Sequence, residues 1–282
     1  TENASSGTSL RGVPDSVDII AIWSGGHPTT KAKKDDMAYV QKVKDEILKL
    51  NEPVILVGHS LAGFVVSQVA EEIPDRIEKL VFIAAMIPYE GKTVFDIINA
   101  DAESLLLQNL IFAEDKSWAT VSEETLKNVV YNKASIEQIT ESVPNLVHQA
   151  TQPFFVTVET SANAFGLIDK TYIICENDKI LSSTAQRNLI QQIGITKSLT
   201  LSTGHVPNVE NPDALAGLDP LFRGCRTPRE LRARGRRAAP DPRRGQPADP
   251  PAGGHARRGA VRAAQPRRLP YRGGAHAVCR RL

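Results

Sequence analysis

The amino-acid sequence predicts an α/β fold in which a mostly parallel sheet carries helices on both faces. Short runs of β-branched residues and leucine without a polar break, such as residues 54–57, are typical of strands buried on both faces of a parallel sheet. These runs alternate with segments whose apolar residues recur at helical spacing, and the links between them are short. One longer section with helical periodicity, residues 88–154, interrupts the alternation.

Strands and helices are predicted on both sides of that section. Before it, the sequence predicts strands at 17–23, 54–57 and 77–86, a helix at 35–50 and another that begins at Phe64. After it, the sequence predicts strands at 170–175 and 198–201, separated by a helix at 183–193. We therefore expect one α/β domain at residues 1–217.

Residues 88–154 are too many for a simple crossover between two strands, so we expect a helical cap insertion over the carboxyl edge of the sheet. The periodicity predicts helices at 93–99, 102–112, 122–132 and 135–148. At helical spacing, large apolar residues more often belong to the core than to a pocket. The sequence leaves open whether the following residues line a substrate pocket or belong to the core: Phe95, Leu105, Leu106, Leu107, Leu110, Phe112 and Trp118.

The most informative motif is Gly-His-Ser-Leu-Ala-Gly at residues 58–63, between a predicted strand and a predicted helix. On such a turn a serine presents its hydroxyl outside the sheet, and its neighbours must be small because a larger side chain would collide with the next strand or helix. The motif departs from G-x-S-x-G only at Ala62, which Gly63 follows. Ser60 could also be a simple helix N-cap, but strand, turn and helix in this order favour a nucleophile.

A serine nucleophile needs a histidine to accept its proton and an acid to orient that histidine. Asp178 follows the strand at 170–175, and His205 follows the strand at 198–201. The chain order Ser60, Asp178, His205 is that of a serine triad on an α/β sheet. Each residue also has a structural interpretation, as a turn aspartate or a loop histidine, and two rival acids lie nearby, Glu176 and Asp169.

Other histidines and the cysteines carry less information. We expect His59 to pack beside the turn and assign no catalytic role to His27 or His148. Cys175 lies in an apolar run and is predicted to be a small buried hydrophobe. The sequence has neither metal-ligand spacing nor a disulfide framework.

The C-terminal residues 218–282 differ sharply in composition. They carry 17 Arg and no Lys against 4 acidic residues, a net charge of +13, and 9 of the 18 prolines. Residues 1–217 carry 17 Lys and Arg against 28 acidic residues, a net charge of −11. We predict a disordered tail. It could bind nucleic acid through phosphates, but the abrupt change of composition favours a passive segment or an out-of-frame one, so we expect no nucleic-acid partner.

The sequence contains no apolar run of about 18 residues, which a membrane span would need. We therefore expect no membrane partner and a cytoplasmic protein. The chain begins with Thr1, so the sequence does not exclude an upstream targeting signal.

From about residue 17 to 218 the chain resembles the α/β-hydrolase superfamily, in particular the branch of plant methylesterases, hydroxynitrile lyases and their bacterial esterase relatives. The resemblance is carried by residues 56–63, 67–71, 77–88 and 172–178 with Gln186, and by Gly204 and His205. It implies a triad of Ser60, Asp178 and His205, a cap over an apolar acyl or alcohol pocket, and no cofactor.

Two departures from the branch matter. The resemblance implies an oxyanion hole formed by the N–H of Leu61 and an N–H from a His-Gly loop after an earlier strand. No such strand precedes residue 17, and Ser24-Gly25-Gly26-His27 resembles a later loop, so we expect an N-terminally truncated chain. The related lyases have a lysine directly after the histidine, whereas this chain has Val206.

These observations predict serine-dependent hydrolysis of a small or medium carboxylic ester. Three alternatives stay open: a lyase of the same branch, a non-catalytic ligand-binding member of the fold, and a polyanion-binding protein that acts through the arginine-rich tail.

Overall fold

The structure, a computed structural model, describes residues 19–22, 37–146, 148–218 and 278–280. The strands in these ranges are β1 (Ile19–Ile22), β2 (Val54–His59), β3 (Ile77–Ile83), β4 (Leu110–Phe112), β5 (Trp118–Val121), β6 (Gln149–Ala150), β7 (Asp169–Cys175), β8 (Lys197–Leu201) and β9 (Val278–Arg280). The α-helices are α1 (Met37–Leu48), α2 (Ala62–Glu72), α3 (Val94–Ala100), α4 (Glu123–Thr125), α5 (Ile136–Ser142), α6 (Ser183–Ile193), α7 (Pro207–Glu210) and α8 (Pro212–Ala216).

A six-stranded sheet in the order β8-β7-β3-β2-β1-β9 lies at the centre. Every neighbouring pair from β1 to β8 is parallel, and β9 pairs antiparallel with β1. All six residues of β2 are buried, as its unbroken apolar run predicts. The mostly parallel sheet expected from the sequence is confirmed.

Helices cover both faces of this sheet. On one face, Val43 of α1 and Val66 of α2 belong to the same buried cluster as Leu56 and Phe82 of the sheet. On the other face, Ile55, Val81 and Ile173 form a second cluster, against which Leu215 of α8 packs. The central strand β2 is buried along its whole length between these two clusters, whereas the edge strand β8 is exposed at residues 197–200.

The insertion between β3 and β7 contains both helices and strands. Two of its helices begin with a capping box, at Thr93 and Ser135, within a residue of the predicted starts. The helix predicted at 102–112 is wrong, because residues 107–109 form one 3-10 turn and β4 follows. The helix predicted at 135–148 is too long, since α5 ends at Ser142. A three-stranded antiparallel sheet in the order β4-β5-β6, absent from the prediction, completes the insertion.

Most of the tail predicted to be disordered lies outside the described residues. Of residues 218–282, the structure describes Leu218 and the strand β9. The strand was not predicted; it pairs with β1 over Ile19–Arg280, Ile20–Cys279 and Ala21–Val278. This pairing gives hydrogen-bond partners to an edge of the sheet.

Within the described ranges, every helix is too short or too polar to cross a membrane.

Candidate active site

Ser60 lies at the tip of the turn between β2 and α2, with a left-handed backbone (φ 56°). Its N–H donates to the carbonyl of Ile83 (3.2 Å), and its own carbonyl accepts from the N–H groups of Gly63 (3.0 Å) and Met86 (3.2 Å). A residue with a Cβ atom rarely adopts this conformation, so these bonds hold a strained turn in place. The turn has the strained strand-to-helix geometry that the sequence predicted for an elbow at Ser60.

The glycines of the elbow are required by close packing. A Cβ atom at Gly63 would lie 2.0 Å from the carbonyl oxygen of Met86, and one at Gly58 would lie 2.7 Å from a methyl group of Val66. Both distances are far below van der Waals contact. The steric reason given for small residues at these positions is therefore confirmed.

We expect Gly63→Ala to destabilise the protein by about 1–3 kcal/mol or more, because the added methyl group must displace backbone rather than a flexible side chain. Urea unfolding will measure the change. Gly217→Ala is the matched control, since its Cβ atom would meet nothing closer than 3.3 Å and its φ is −62°. Equal stability of the two variants would contradict the packing argument.

His205 joins the other two predicted residues in one hydrogen-bond chain. It lies on the loop after β8, with its Nε2 atom 2.9 Å from Ser60 Oγ and its Nδ1 atom 2.8 Å from Asp178 Oδ2. The side chain of His205 is 8% exposed and that of Asp178 is fully buried. The structure thus brings together all three predicted triad residues at the carboxyl ends of β2, β7 and β8.

Backbone groups orient the carboxylate of Asp178. Its Oδ1 atom accepts from the N–H groups of Ile180 (2.7 Å) and Leu181 (3.1 Å), which leaves Oδ2 for His205. These N–H donors give Oδ1 hydrogen-bond partners and fix the orientation of the carboxyl group. A buried aspartate bonded to Nδ1 fixes the histidine tautomer whose Nε2 atom can accept a proton from Ser60.

Gln186 of α6 also holds this loop; the sequence analysis named this residue only as part of the family resemblance and gave its side chain no role. Its side chain is fully buried. Its Oε1 atom accepts from the N–H of Cys175 (3.0 Å), and its Nε2 atom lies 2.8 Å from the carbonyl oxygen of Leu181 and 3.4 Å from Asp178 Oδ2. The amide therefore closes the loop of residues 175–181, which carries Asp178.

The two rival acids lie elsewhere. Glu176 is exposed to solvent. Asp169 is the first residue of β7, at the opposite end of the strand from Asp178, and it forms ion pairs with Lys79 (3.7 Å) and Lys197 (3.0 Å). Neither can replace Asp178 beside His205.

His59 packs beside the elbow, as expected, and it also contacts His205. Its Nε2 atom donates to the carbonyl oxygen of His205 at 2.6 Å, and the two ring centroids are 4.8 Å apart. Burial, and next the proximity of His205, lower the pKa of His59 from 6.5 to about 3, although the backbone hydrogen bond opposes the shift. His59 is therefore neutral and acts as a hydrogen-bond donor.

This shift makes stability depend on pH. Below pH 6.5 the unfolded chain binds a proton at His59 that the folded protein does not bind until about pH 3. The free energy of unfolding therefore falls as the pH is lowered through that window, by up to about 1.4 kcal/mol for each pH unit. Between pH 7 and pH 5 we expect a loss of about 2 kcal/mol from this residue.

The variant His59→Gln isolates the effect, because its amide can donate to the same carbonyl but does not titrate. We expect the free energy of unfolding, measured with urea, to fall less between pH 7 and pH 5 in the variant than in the parent, by about 2 kcal/mol. Identical pH dependence of the two proteins would mean that His59 is not held neutral by burial.

Leu61, the predicted oxyanion donor, follows Ser60 at the start of α2, where the first N–H groups of a helix have no partner within the helix. Its side chain lines an apolar pocket formed by α1, α2 and the C-terminal part of the insertion. The pocket is lined by Tyr39, Val40, Leu61, Phe64, Val65, Pro153, Val156 and Val158. The Gly-Gly-His loop at 24–27 lies outside the described residues.

The apolar residues proposed for a pocket in the insertion are not those that line this one. Leu106 and Leu107 pack against a buried cluster that includes Phe64 and Ile98. The ring of Phe95 lies 5.2 Å from that of Phe155, and Phe112 is 46% exposed. Trp118 stacks on the exposed His148, with ring centroids 3.7 Å apart.

The thiol of Cys175 is buried, and the described residues contain no group of side chains suited to bind a metal ion. Burial raises the pKa of the Cys175 thiol to about 12, which makes it an unreactive buried group as predicted. In the part of the chain that the structure describes, no three histidine, cysteine or acidic side chains are grouped so that they could hold a metal ion.

The fold and the arrangement of these side chains are those of an α/β-hydrolase. Residues 11–218 match the alpha/beta hydrolase family, and the chain belongs to this family.

The curated relatives are plant proteins of the expected branch. Methylesterase 2 of Arabidopsis thaliana is 22% identical over 219 residues, which cover 71% of this chain and 82% of the relative. Salicylic acid-binding protein 2 of Nicotiana tabacum is 26% identical over 172 residues (55% and 64%), and norfluorocurarine synthase 1 of Strychnos nux-vomica is 25% identical over 183 residues (58% and 67%). The chain spans only 48% to 67% of the first plant relatives it matches.

Among solved structures, a pyrethroid hydrolase from Sphingobium faniae JZ-2 superposes with a TM-score of 0.59 at 21% identity. The match covers 70% of this chain and 82% of that protein. At this identity the likeness concerns the fold.

Proposed function

We propose that the chain hydrolyses a small or medium carboxylic ester through an acyl-enzyme intermediate on Ser60. The observation that carries the proposal is the hydrogen-bond chain from Ser60 Oγ through the imidazole of His205 to Asp178 Oδ2, with distances of 2.9 and 2.8 Å. Membership of the hydrolase family and the likeness to methylesterases support the reaction type.

In the first half of the reaction, Ser60 Oγ attacks the ester carbonyl while His205 Nε2 accepts the hydroxyl proton. Asp178 holds the imidazole in the required tautomer and stabilises the imidazolium that forms. The backbone N–H of Leu61 donates to the oxyanion of the tetrahedral intermediate. His205 then protonates the leaving alcohol, and the acyl group remains on Ser60.

In the second half, His205 takes a proton from water, which attacks the acyl carbonyl. The tetrahedral intermediate collapses, Ser60 regains its proton from His205, and the carboxylic acid leaves. The apolar pocket beside Leu61 supports an apolar group on the substrate, since its lining is almost entirely aliphatic or aromatic. Val206, where the related lyases have a lysine, favours hydrolysis over cyanohydrin cleavage.

Labelling with a fluorophosphonate tests the site directly, because this reagent phosphonylates only an activated serine. We expect one adduct, located on Ser60 by mass spectrometry of peptides, and competition by short-chain p-nitrophenyl esters. Absence of the adduct from folded protein would overturn the proposal. Ligand binding without labelling or turnover would instead favour the non-catalytic alternative.

A further inference from the structure

Glu210 is a partly buried carboxylate that the proposed reaction does not use. It ends α7, five residues after His205. Its Oε2 atom accepts from the N–H of Gly204, the residue before His205, and its Oε1 atom accepts from the N–H of Lys133 at 3.2 Å. One side chain thus joins the histidine loop to the insertion.

Asn132, the residue before Lys133, contacts the loop that carries Asp178. The Nδ2 atom of Asn132 donates to the carbonyl of Asn177 (2.9 Å), the residue before Asp178, and the N–H of Asn177 donates to the carbonyl of Thr203 (2.9 Å). The peptides that precede Asp178 and His205 are therefore both bonded to the turn at residues 132–133, directly or through Glu210.

The side chains of Asn132 and Glu210 pack closely against the Gly204 backbone at this junction. A Cβ atom at Gly204 would lie 2.0 Å from Asn132 Oδ1 and 2.7 Å from Glu210 Oε1. Burial raises the pKa of Glu210, whereas the N–H groups of Lys133 and Gly204 and the proximity of His205 act in the opposite direction. A buried carboxylate is costly unless hydrogen bonds compensate for its lost hydration. The N–H groups of Gly204 and Lys133 provide these bonds to Glu210.

We propose that Glu210 is a positioning residue for His205: by tying the Gly204 peptide to Lys133, it holds the imidazole at hydrogen-bond distance from both Ser60 and Asp178. The inference rests on the proposed function. Glu210 touches neither Ser60 nor the oxyanion donor, so its effect on the reaction passes through the position of His205.

Three variants test the role. Glu210→Ala removes both acceptor oxygens, and we expect kcat to fall about tenfold to hundredfold, because small displacements of a catalytic group have effects of this size. KM should stay within about twofold. Glu210→Gln keeps one acceptor oxygen, and we expect its kcat to fall less than that of Glu210→Ala. Glu124→Gln, an exposed acid in the same insertion, is the matched control and should leave kcat unchanged.

A spectroscopic measurement separates positioning from general stability and needs no turnover. The proton between His205 Nδ1 and Asp178 Oδ2 should give a resolved downfield NMR signal in the parent and in Glu124→Gln. We expect it to broaden or vanish in Glu210→Ala well below the unfolding temperature, and to persist in Glu210→Gln.

An unchanged signal and an unchanged kcat in Glu210→Ala would overturn the inference. Failure of the proposed function looks different: the parent would lack both the Ser60 adduct and ester turnover, while the NMR comparison would still report whether Glu210 holds the histidine.

Discussion

Replacing Ser60 with alanine is expected to abolish ester hydrolysis while the protein stays folded. The nucleophile, and with it the acyl-enzyme route, is lost, so kcat should fall by about 10⁴- to 10⁶-fold. The methyl group fits where the serine Cβ atom already lies, and the backbone bonds of the elbow to Ile83 and Met86 do not involve the hydroxyl. Initial rates with a p-nitrophenyl ester, and circular dichroism on heating, measure the two halves of this prediction.

Ser67 provides the matched control. It is a fully buried serine of α2 whose hydroxyl donates to the carbonyl of Gly63 at 2.7 Å, without contact to the triad. We expect Ser67→Ala to retain kcat within a small factor even if it unfolds at a slightly lower temperature. Hydrolysis by Ser60→Ala at the parent rate would rule out Ser60 as the nucleophile.

The second large effect is expected from Asp178→Asn. The asparagine can still accept the N–H groups of Ile180 and Leu181 with its oxygen, so the loop should keep its shape. Its NH₂ group then faces His205 Nδ1, where a donor favours the tautomer with the proton on Nε2. That tautomer cannot accept the proton of Ser60, and we expect kcat to fall about 10⁴-fold.

The rival acids are the controls for this prediction. Glu176→Gln and Asp169→Asn should hydrolyse esters at close to the parent rate, although the second also loses ion pairs with Lys79 and Lys197. A larger loss of kcat in either control than in Asp178→Asn would show that Asp178 is not the acid of the triad.

The centre of the sheet was predictable because β2 and most of β3 and β7 are buried. A run such as Val54 to Val57 has no polar residue to accommodate, so hydrophobicity alone indicates a central strand. The start of α6 at Ser183 was likewise predicted from its apolar periodicity, and in the structure the side chain of Ser182 caps the helix there. In both cases the local pattern and the tertiary environment favour the same structure.

The insertion was less predictable because nonlocal contacts decide its structure. Residues 102–112 were predicted to form a helix, yet the N–H of Leu105 donates to the carbonyl of Lys179 (2.9 Å) and Ser104 Oγ donates to that of Ile180 (2.7 Å). These bonds fix an irregular segment where propensity favours a helix. Residues 110–112 then pair with β5, a contact that periodicity cannot reveal.

The candidate site also has residues that the local sequence pattern predicts and residues that it does not predict. Ser60, Asp178 and His205 could be selected from the sequence because each follows a predicted strand and each has a defined role in one reaction. Gln186 and Glu210 bind mostly backbone groups, and the sequence does not record which peptide lies beside their side chains in the fold. The signal for Glu210 was only its closeness to His205 in the chain.

The insertion leaves the central sheet after β3 and returns at β7, and these strands are direct neighbours, with Ile83 opposite Ile173. The polypeptide therefore leaves the sheet at the carboxyl end of β3 and re-enters at the amino end of β7, where Asp169 lies opposite Lys79, so the insertion connects two neighbouring strands and no other strand lies between them. The insertion is in this sense an exchangeable module: a chimera could receive a foreign segment of different length and new pocket walls while the elbow stays as it is. The graft would have to reproduce the peptide of Lys133 that meets Glu210. It would also have to reproduce the hydrogen bonds of Ser104, Leu105 and Asn132 to residues 177–180.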